Sequence, residues 1–290
     1  MFNGVFTALI TPFKDNQIDE QSFRSFIDFQ INEGIHGVVP VGTTGESPTL
    51  SHDEHKNAVE ICIDQVSKRV PVIAGTGSNN TEEAIDLTIH AQEAGADAAL
   101  VVTPYYNKPT QDGMYAHYEA ISKATKIPII IYNIPGRSVI DMTNETMLKL
   151  FKLENIVGVK DATSNIPRVY DAKTNIGSNF NLLTGDDATT LAFMLYGGHG
   201  AISVTSNIAP KLCSSFMNNC MQNNYEEASR INDILMPLHS ALFIESSPGP
   251  VKYAASKLNL CEDEVRLPLI NISEETKAIV DKALKHASLL

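Results

Sequence analysis

Short apolar runs alternate with longer amphipathic stretches along most of the chain. Eight runs have the length and β-branched content of strands, and they cover 5–10, 37–42, 71–76, 98–103, 128–133, 155–160, 181–186 and 200–205. The stretches between them have helical spacing, and two begin with a capping pattern, Ser51 with Glu54 and Asn80 with Glu83. Continuous apolar strands separated by helices are typical of a parallel sheet that helices cover.

Eight strand–helix units of roughly 30 residues each predict a (β/α)₈ TIM barrel rather than an open, doubly wound sheet. From Tyr225 onward the sequence shows helical patterns without further strand runs. We therefore expect residues 1–224 to form the catalytic barrel and residues 225–290 to form a helical C-terminal extension.

Composition narrows the possible partners. The formal net charge of −12 argues against a nucleic acid or an anionic membrane as partner, because both need a basic patch. Neither a basic, apolar leader nor an apolar run of about 20 residues is evident, so no signal peptide or membrane span is predicted. The four cysteines lie in segments with helical patterns and form no C-x-x-C pair, which predicts reduced thiols in a cytoplasmic protein.

The sixth strand run ends on a lysine, Lys160, where an apolar strand would bury its charge. Alternation along the strand puts Lys160 on the same face as Ile156 and Gly158, and Gly158 leaves space on that face. Tyr132 ends the preceding run and is the expected neighbour of Lys160. In a TIM barrel the carboxyl ends of the strands form one face, where active sites lie.

Two interpretations of Lys160 are possible. A solvated lysine at a strand end is the ordinary one. The presence of Thr44, Tyr132 and Arg137 on the same predicted face favours a reactive amine instead. Burial disfavours an ammonium, and a free amine attacks a ketone to form a Schiff base, while a tyrosine within reach can move the protons.

Other short motifs indicate what the site does not contain. "GTTGE" (Gly42 to Glu46) can present backbone N–H groups to an anion or form a plain tight turn, and it is not a P-loop because no G-K-[ST] follows. "GTGSNN" lacks the third glycine of a dinucleotide site. "HDEH" (His52 to His55) lacks the H-E-x-x-H spacing, so we predict a polar first helical turn, no metal and no cofactor.

Seven motifs together resemble the dihydrodipicolinate synthase family, within the pyruvate-dependent class I aldolase-like barrels. The resemblance covers essentially the whole chain and includes "VGTTGES", "PVIAGTGSN", "VTPYYNKP", "YNIPGRS", "VGVKDAT", "GDDA" and "GGHGAISVTSN". It implies a homotetramer that condenses pyruvate with L-aspartate-4-semialdehyde to give 4-hydroxy-tetrahydrodipicolinate, on the route to diaminopimelate and lysine.

The resemblance also implies a role for individual residues. Lys160 is the expected Schiff-base lysine and Tyr132 the general acid/base, linked through Thr44 to Tyr106 from a neighbouring subunit. The N–H groups of Thr43 and Thr44 are expected to bind the pyruvate carboxylate, and Arg137 the carboxylate of the semialdehyde. Two further positions shape the substrate pocket through the backbone, namely Gly185 and Ile202.

A second, regulatory site follows from the same resemblance. Its expected ligand is L-lysine, acting as a feedback inhibitor. The residues that match this site are Ser47, Pro48, His52, His55, Asn79, Glu83 and Tyr105. Pro48 departs from the family, which often has a smaller and less rigid residue there, and its fixed φ could reshape the pocket.

Three alternatives compete with this assignment. A related aldolase acting on N-acetylneuraminate or a 2-keto-3-deoxy sugar acid would keep Lys160 and Tyr132, but a sugar acid needs a longer, polyol-binding pocket. A non-catalytic sensor built on the same barrel would not need the intact lysine, tyrosine and threonine set. A phosphate site built on "TGDD" and "GGHG" would place Asp186 and Asp187 against an anion.

Overall fold

The computed structural model describes residues 2–177 and 179–290. Within them lie ten strands, β1 (Gly4–Ala8), β2 (Phe13–Lys14), β3 (Gln17–Ile18), β4 (Gly37–Val39), β5 (Ile73–Gly75), β6 (Ala98–Val102), β7 (Ile129–Asn133), β8 (Ile156–Asp161), β9 (Asn181–Thr184) and β10 (Gly200–Ser203). The same residues contain twelve α-helices, α1 (Glu20–Asn32), α2 (His52–Val66), α3 (Thr81–Ala94), α4 (Gln111–Ala124), α5 (Pro135–Ser138), α6 (Asn144–Leu150), α7 (Pro167–Asn175), α8 (Thr190–Leu195), α9 (Pro210–Met221), α10 (Tyr225–Ala241), α11 (Gly249–Lys257) and α12 (Glu274–His286).

Eight strands form one sheet in the order β4-β1-β10-β9-β8-β7-β6-β5. β1 pairs with β4 in parallel, and β5 to β10 pair in parallel in sequence order. Each of the eight predicted strand runs overlaps one of these strands, and helices lie between successive strands of the sheet. The structure thus confirms the predicted (β/α)₈ topology followed by C-terminal helices.

One small element was not predicted. β2 and β3 form an antiparallel hairpin with Phe13 opposite Ile18. Its two-residue turn consists of Asp15 and Asn16, both in the left-handed region with φ of 52° and 60°. Asp and Asn tolerate this region, which a tight hairpin turn requires. Strands of two residues are too short to give an alternating pattern, so the sequence carried no usable signal.

The chain groups into two compact units, and the boundary predicted at residue 224 falls inside one of them. The first unit is built from Ile73–Ile202, and the second combines Gly4–Val72 with Ser203–Leu290. Residue 224 lies between α9 and α10 in the second unit, where α10 packs against α9 and α12. A division into barrel and extension at this point remains a prediction.

The first unit has a continuous apolar core. Strand residues from β6, β7 and β8 pack there against helices α4, α6 and α7. Tyr118 is fully buried in this core, and its hydroxyl donates to the carbonyl of Val101 at 2.7 Å. The polar end of the ring is therefore satisfied, so the whole ring can be buried without an unpaired donor.

The two predicted helix starts differ in detail. Ser51 and Glu54 form the expected capping box at the start of α2, with each side chain accepting the other residue's backbone N–H. Asn80 caps α3 as predicted, but its side chain accepts from the N–H of Glu82. The Glu83 carboxylate accepts from the Ser78 hydroxyl, and Ser78 Oγ also accepts from the N–H of Asn80. Because Ser78 is hydrogen-bonded to both residues, Asn80 and Glu83 differ from the predicted capping box.

Two expectations based on composition, for the cysteines and for membrane spans, can be compared with the structure. Cys62, Cys213 and Cys220 lie in helices, whereas Cys261 lies between α11 and α12, so the prediction of four helical cysteines is wrong for that residue. All four are free thiols. Across the described ranges, we find no helix with the length and apolar character needed to cross a bilayer.

Arg266 joins the segment after α11 to the start of α2. Its guanidinium donates to both carboxylate oxygens of Glu54, at 2.9 and 2.6 Å. This bidentate pairing with Arg266 is the main reason that the pKa of Glu54 falls from 4.5 to about 2. Since the native carboxylate binds its proton less readily than the unfolded one, the pair stabilises the fold above about pH 4.5 and ceases to do so as pH falls toward 2.

We predict that Glu54→Gln lowers the unfolding free energy at pH 7 by about 1–2 kcal/mol, because one charge-assisted pair is lost at a partly exposed site. The loss of stability between pH 7 and about pH 3.5 should also be smaller in the variant than in wild type. Denaturant unfolding at both pH values measures this. Glu145→Gln, which breaks an exposed pair with Lys149, is the matched control and should change stability much less. An equal pH dependence in wild type and Glu54→Gln would contradict the assignment.

Candidate active site

Lys160 and Tyr132 are neighbours in the sheet. The register of the parallel pair β7–β8 places them directly opposite each other. Each residue is 6% exposed, and Lys160 Nζ lies 4.0 Å from the centroid of the Tyr132 ring. The predicted pairing of a buried lysine with this tyrosine is therefore present in the structure.

A β-bulge sets the direction in which Lys160 points. Ile129 pairs with Ile156, but the next residue of β7, Ile130, pairs with Gly158, so β8 carries one extra residue there. Ile156 and Val159 both pack into the apolar core of the first unit. The prediction that Lys160 shares a face with Ile156 is thus wrong, because the bulge shifts the alternation by one residue. Lys160 does share a face with Gly158.

Gly158 and Gly185 each need to be glycine, but for different structural reasons. A Cβ at Gly158 would lie 2.4 Å from the carbonyl oxygen of Asn181, so this glycine lets β9 approach rather than making space for Lys160. A Cβ at Gly185 would lie 2.7 Å from Lys160 Cε and 2.9 Å from Ala162 Cβ. Gly185 therefore leaves the volume that the Lys160 side chain occupies, which is a more direct role than the predicted contribution through the backbone.

A polar network adjoins the two strand ends. Asp161, next to Lys160, accepts from Arg168 Nε at 3.1 Å, and its other oxygen accepts from the N–H of Thr163 at 2.8 Å. Arg168 also donates to Asp141 at 3.0 Å, and Asp141 accepts from the side-chain amide of Asn133 at 2.8 Å. The carboxylate closest in sequence to Lys160 is thus engaged by Arg168 and Thr163.

Sequence reasoning missed this network. Asn133 and Asp161 are paired in the register of β7 and β8, one residue beyond Tyr132 and Lys160. The signal was available, because a carboxylate and an amide that follow two adjacent strands must come close together. Arg168 lies on α7, and no sequence spacing connects it to Asp141. Tertiary folding alone brings those two together.

Three other predicted residues of the first unit lie on different elements. Arg137 is exposed on the short helix α5, directly after β7. Ile202 is 1% exposed on β10. Tyr106, in the loop after β6, is 88% exposed, and its φ of 72° is in the left-handed region. The structure describes no contact that joins Tyr106 to Lys160 or Tyr132.

Thr43 and Thr44 belong to the second unit, in the loop that follows β4. Thr44 is buried and Thr43 is half-buried. The loop closes through two hydrogen bonds, from the N–H of Gly45 to the carbonyl of Gly42 at 3.1 Å and from the N–H of Glu46 to the carbonyl of Thr43 at 3.2 Å. This tight turn is compatible with the predicted anion nest.

The residues predicted for the regulatory site are divided between the units. In the second unit, Ser47 and Pro48 form a 3₁₀ turn, His52 begins α2 as an exposed residue, and His55 is buried one turn later. The polar first turn predicted for "HDEH" is thus confirmed.

In the first unit the predicted regulatory residues already have partners. The carbonyl of Asn79 accepts from the Asn107 amide at 2.8 Å, and the Glu83 carboxylate accepts from Ser78. Tyr105 is 37% exposed. Within residues 2–177 and 179–290, no three His, Cys, Asp or Glu side chains group as ligands for a metal.

A (β/α)₈ barrel with a buried lysine beside a tyrosine at the ends of two adjacent strands is compatible with the class of enzymes that act on carbonyl compounds through a lysine amine. The sequence profile of the Dihydrodipicolinate synthetase family matches residues 1–287. The 4-hydroxy-tetrahydrodipicolinate synthase of Afipia carboxidovorans is 57% identical over 289 residues, which are 100% of this chain and 98% of that protein. The chain therefore belongs to the Dihydrodipicolinate synthetase family.

Solved structures agree with this assignment over the whole chain. The chloride-inhibited dihydrodipicolinate synthase of Acinetobacter baumannii, complexed with pyruvate, superposes with a TM-score of 0.98 at 43% identity and full coverage of both chains. A monomeric dihydrodipicolinate synthase variant has a TM-score of 0.97 at 39% identity, covering 100% of this chain and 98% of that one. The enzyme of Cyanidioschyzon merolae with lysine bound has a TM-score of 0.97 at 38% identity, covering 100% and 99%.

These findings confirm the predicted family, the predicted fold and the predicted activity as a lyase, 4-hydroxy-tetrahydrodipicolinate synthase. Pyruvate and L-aspartate-4-semialdehyde are the substrates that this family membership implies. The sugar-acid aldolase and the non-catalytic sensor are not supported by relatives of this identity over the full length.

We predict that Gly185→Ala blocks the reaction of Lys160 with a keto acid, because the new methyl group would occupy the space of Lys160 Cε. Overpacking of this kind also costs about 1–3 kcal/mol of stability. Incubation with pyruvate and borohydride, followed by mass spectrometry, measures the reaction. Gly136→Ala is the matched control, since a Cβ there meets no atom within 4 Å. Full modification of Lys160 in folded Gly185→Ala would contradict the prediction.

Proposed function

We propose that Lys160 forms the covalent imine with pyruvate. Its Nζ attacks the ketone carbon, the ketone oxygen leaves as water, and a C=N bond replaces C=O. Loss of a proton from the pyruvate methyl group then gives an enamine, whose carbon attacks the aldehyde of L-aspartate-4-semialdehyde. The observation that supports this role is the buried Lys160 amine 4.0 Å from the Tyr132 ring at the end of adjacent strands.

Tyr132 is the proposed general acid/base for these proton transfers. Its ring already lies beside the amine, and both side chains are almost completely buried, so the protons exchange away from bulk water. Thr44 and Tyr106 complete the proposed relay. The backbone N–H groups of Thr43 and Thr44 bind the pyruvate carboxylate, and Gly185 and Ile202 border the pocket.

Arg137 is the proposed binding group for the carboxylate of the semialdehyde. Its exposed position on α5, immediately after the strand that carries Tyr132, is suitable for a substrate that enters from solvent. The planar guanidinium can donate two parallel hydrogen bonds to a carboxylate.

Incubation with pyruvate and borohydride tests the central proposal. Borohydride reduces the imine, so a stable adduct should appear on Lys160 and on no other lysine. Lys160→Met should show no adduct and should retain the fold, because a buried lysine is replaced by an apolar side chain of similar length. Active wild-type enzyme without an adduct on Lys160 would exclude this residue as the nucleophile.

The proposed assembly is a homotetramer in which Tyr106 serves the active site of a neighbouring subunit. Its 88% exposure and left-handed backbone support this, since the ring is held away from its own subunit. The cytoplasm is the proposed location, and the four free thiols are suited to a reducing compartment.

Tyr106→Phe should lower kcat roughly a hundredfold, which is the usual contribution of one proton-transfer group. Thermal unfolding should be unchanged, because the hydroxyl of an exposed ring adds little to stability. Steady-state kinetics combined with analytical ultracentrifugation measures both activity and assembly. Since a related monomeric variant exists, the decisive comparison is specific activity against oligomeric state, and a fully active monomer would contradict the shared relay.

L-Lysine is the proposed feedback inhibitor, and the bound lysine in the Cyanidioschyzon merolae enzyme supports this. Glu83 is the proposed partner of the ligand's α-ammonium, with Asn79 and Tyr105 as polar neighbours. In this chain the Glu83 carboxylate already accepts from Ser78, so lysine binding competes with or adds to that hydrogen bond.

Initial rates measured against lysine concentration, with both substrates present, test this proposal. Partial inhibition that Glu83→Gln relieves about tenfold or more would support it, because one charge-assisted contact is lost. Ser78→Ala is the companion variant, since it removes one hydrogen bond from the Glu83 carboxylate and should leave inhibition intact or stronger. A flat response to lysine in wild type would exclude regulation and leave the catalytic proposal unchanged.

A further inference from the structure

A buried ion pair stands directly after the Thr43–Thr44 loop. Lys252 Nζ on α11 lies 2.6 Å from Glu46 Oε1, and the two side chains are 0% and 1% exposed. The ammonium also donates to the carbonyl of Glu264 at 2.7 Å, while the other Glu46 oxygen accepts the N–H of Arg266 at 3.0 Å. Each charged group thus has the opposite charge beside it and one hydrogen bond to the backbone.

Neighbouring groups strengthen this arrangement. Lys252 Nζ and the guanidinium carbon of Arg266 lie 4.0 and 4.2 Å from the centroid of the buried Phe13 ring. Arg266 also donates to the carbonyl of Thr49, at the end of the short turn that follows Glu46. Glu46, Lys252, Arg266 and Phe13 form what we call the Glu46 cluster, and it fixes the chain on the C-terminal side of the loop.

Stability does not explain why the pair is there. Moving two charges out of water costs about as much as their attraction returns, and apolar replacements of buried pairs are often neutral or stabilising. Burial lowers the pKa of Lys252, and the Glu46 carboxylate opposes that shift. Such a pair is therefore weak evidence for stabilisation, and the conformation that it imposes is the alternative role.

The backbone of the Gly42–Gly45 loop indicates which conformation the ion pair imposes. Val41 and Glu46, at its two ends, have φ values of 49° and 55°. The left-handed region is costly for residues other than glycine, and for a β-branched valine in particular, so the surroundings must hold it in place. One hydrogen bond does so besides the Glu46 cluster, from Thr11 Oγ1 to the carbonyl of Gly45 at 2.7 Å. The backbone at Gly45 also runs close to its surroundings, since a Cβ there would lie 3.1 Å from the carbonyl oxygen of Leu9.

We propose that Glu46 and Lys252 are positioning residues for pyruvate, because their ion pair holds the Gly42–Gly45 loop in the strained conformation that directs the Thr43 and Thr44 N–H groups to the substrate carboxylate. This inference rests on the proposed function of those N–H groups. It extends the site to two residues that touch neither the substrate nor Lys160.

The test is a paired replacement, Glu46→Gln with Lys252→Met, which removes both charges and keeps both volumes. We expect KM for pyruvate to rise about ten- to a hundredfold, which corresponds to the loss of one or two hydrogen bonds to a charged group. KM for the semialdehyde, whose carboxylate is assigned to Arg137, should change by less than about twofold. Leu235→Ala, a buried truncation in α10, is the control for general destabilisation and should change neither KM.

Half-saturation by pyruvate in borohydride trapping gives a second readout that does not need the semialdehyde. If wild type forms no adduct on Lys160, the proposed function fails. If wild type forms the adduct and the folded double variant has the same half-saturation, the positioning role alone is wrong. Equal increases in both KM values, in the double variant and in Leu235→Ala, would also overturn it. Should the double variant not fold, Glu46→Gln by itself, which removes the carboxylate charge and keeps the side-chain volume and one acceptor oxygen, is judged by the same criteria.

Discussion

The register between β7 and β8 is the constraint on which the site depends. It places Tyr132 opposite Lys160 and, one residue later, Asn133 opposite Asp161. A shift of one residue in a strand moves every side chain to the other face. The bulge between Ile156 and Gly158 satisfies two demands that a regular strand could not, because Ile156 and Val159 both enter the apolar core while Lys160 remains on the opposite face.

Although the chain is acidic, the aspartate that follows Lys160 in β8 is paired with other residues. The net charge is −12, and the residue after Lys160 is an aspartate. Asp161 is engaged by Arg168 and Thr163, so its charge is compensated locally and not by the lysine. Arg168 is itself paired with Asp161 and Asp141, whereas Arg137 is exposed on α5 and adds positive charge near these strand ends of a predominantly negative protein.

The sequence predicted what depends on local periodicity. All eight sheet strands, the N-caps at Ser51 and Asn80, and the proximity of Lys160 to Tyr132 follow from apolar patterns and from the rule that strand ends meet on one face. What it could not predict depends on single interactions between distant residues. The bulge in β8, the contact of Arg168 with Asp141, and the burial of Lys252 against Glu46 carry no periodic signal. Gly185 was identified, but its reason, the volume of Lys160, required coordinates.

The second unit is assembled from the two ends of the chain, and this has a consequence for synthesis on the ribosome. Gly4–Val72 emerges first, but Ser203–Leu290, with which it forms one compact unit, emerges only after Ile73–Ile202. Arg266 follows Glu46 by 220 residues. At a translation rate of about 5–20 residues per second, Arg266 is synthesised roughly 10–40 seconds after Glu46. A nascent chain therefore already contains Lys160 and Tyr132 while Glu46 still lacks Lys252 and Arg266. Under the proposed positioning role, an incomplete polypeptide would carry its amine before the loop proposed to bind the keto acid is fixed. Completion of the C-terminus, and not the appearance of the nucleophile, would then mark the moment at which the enzyme becomes competent.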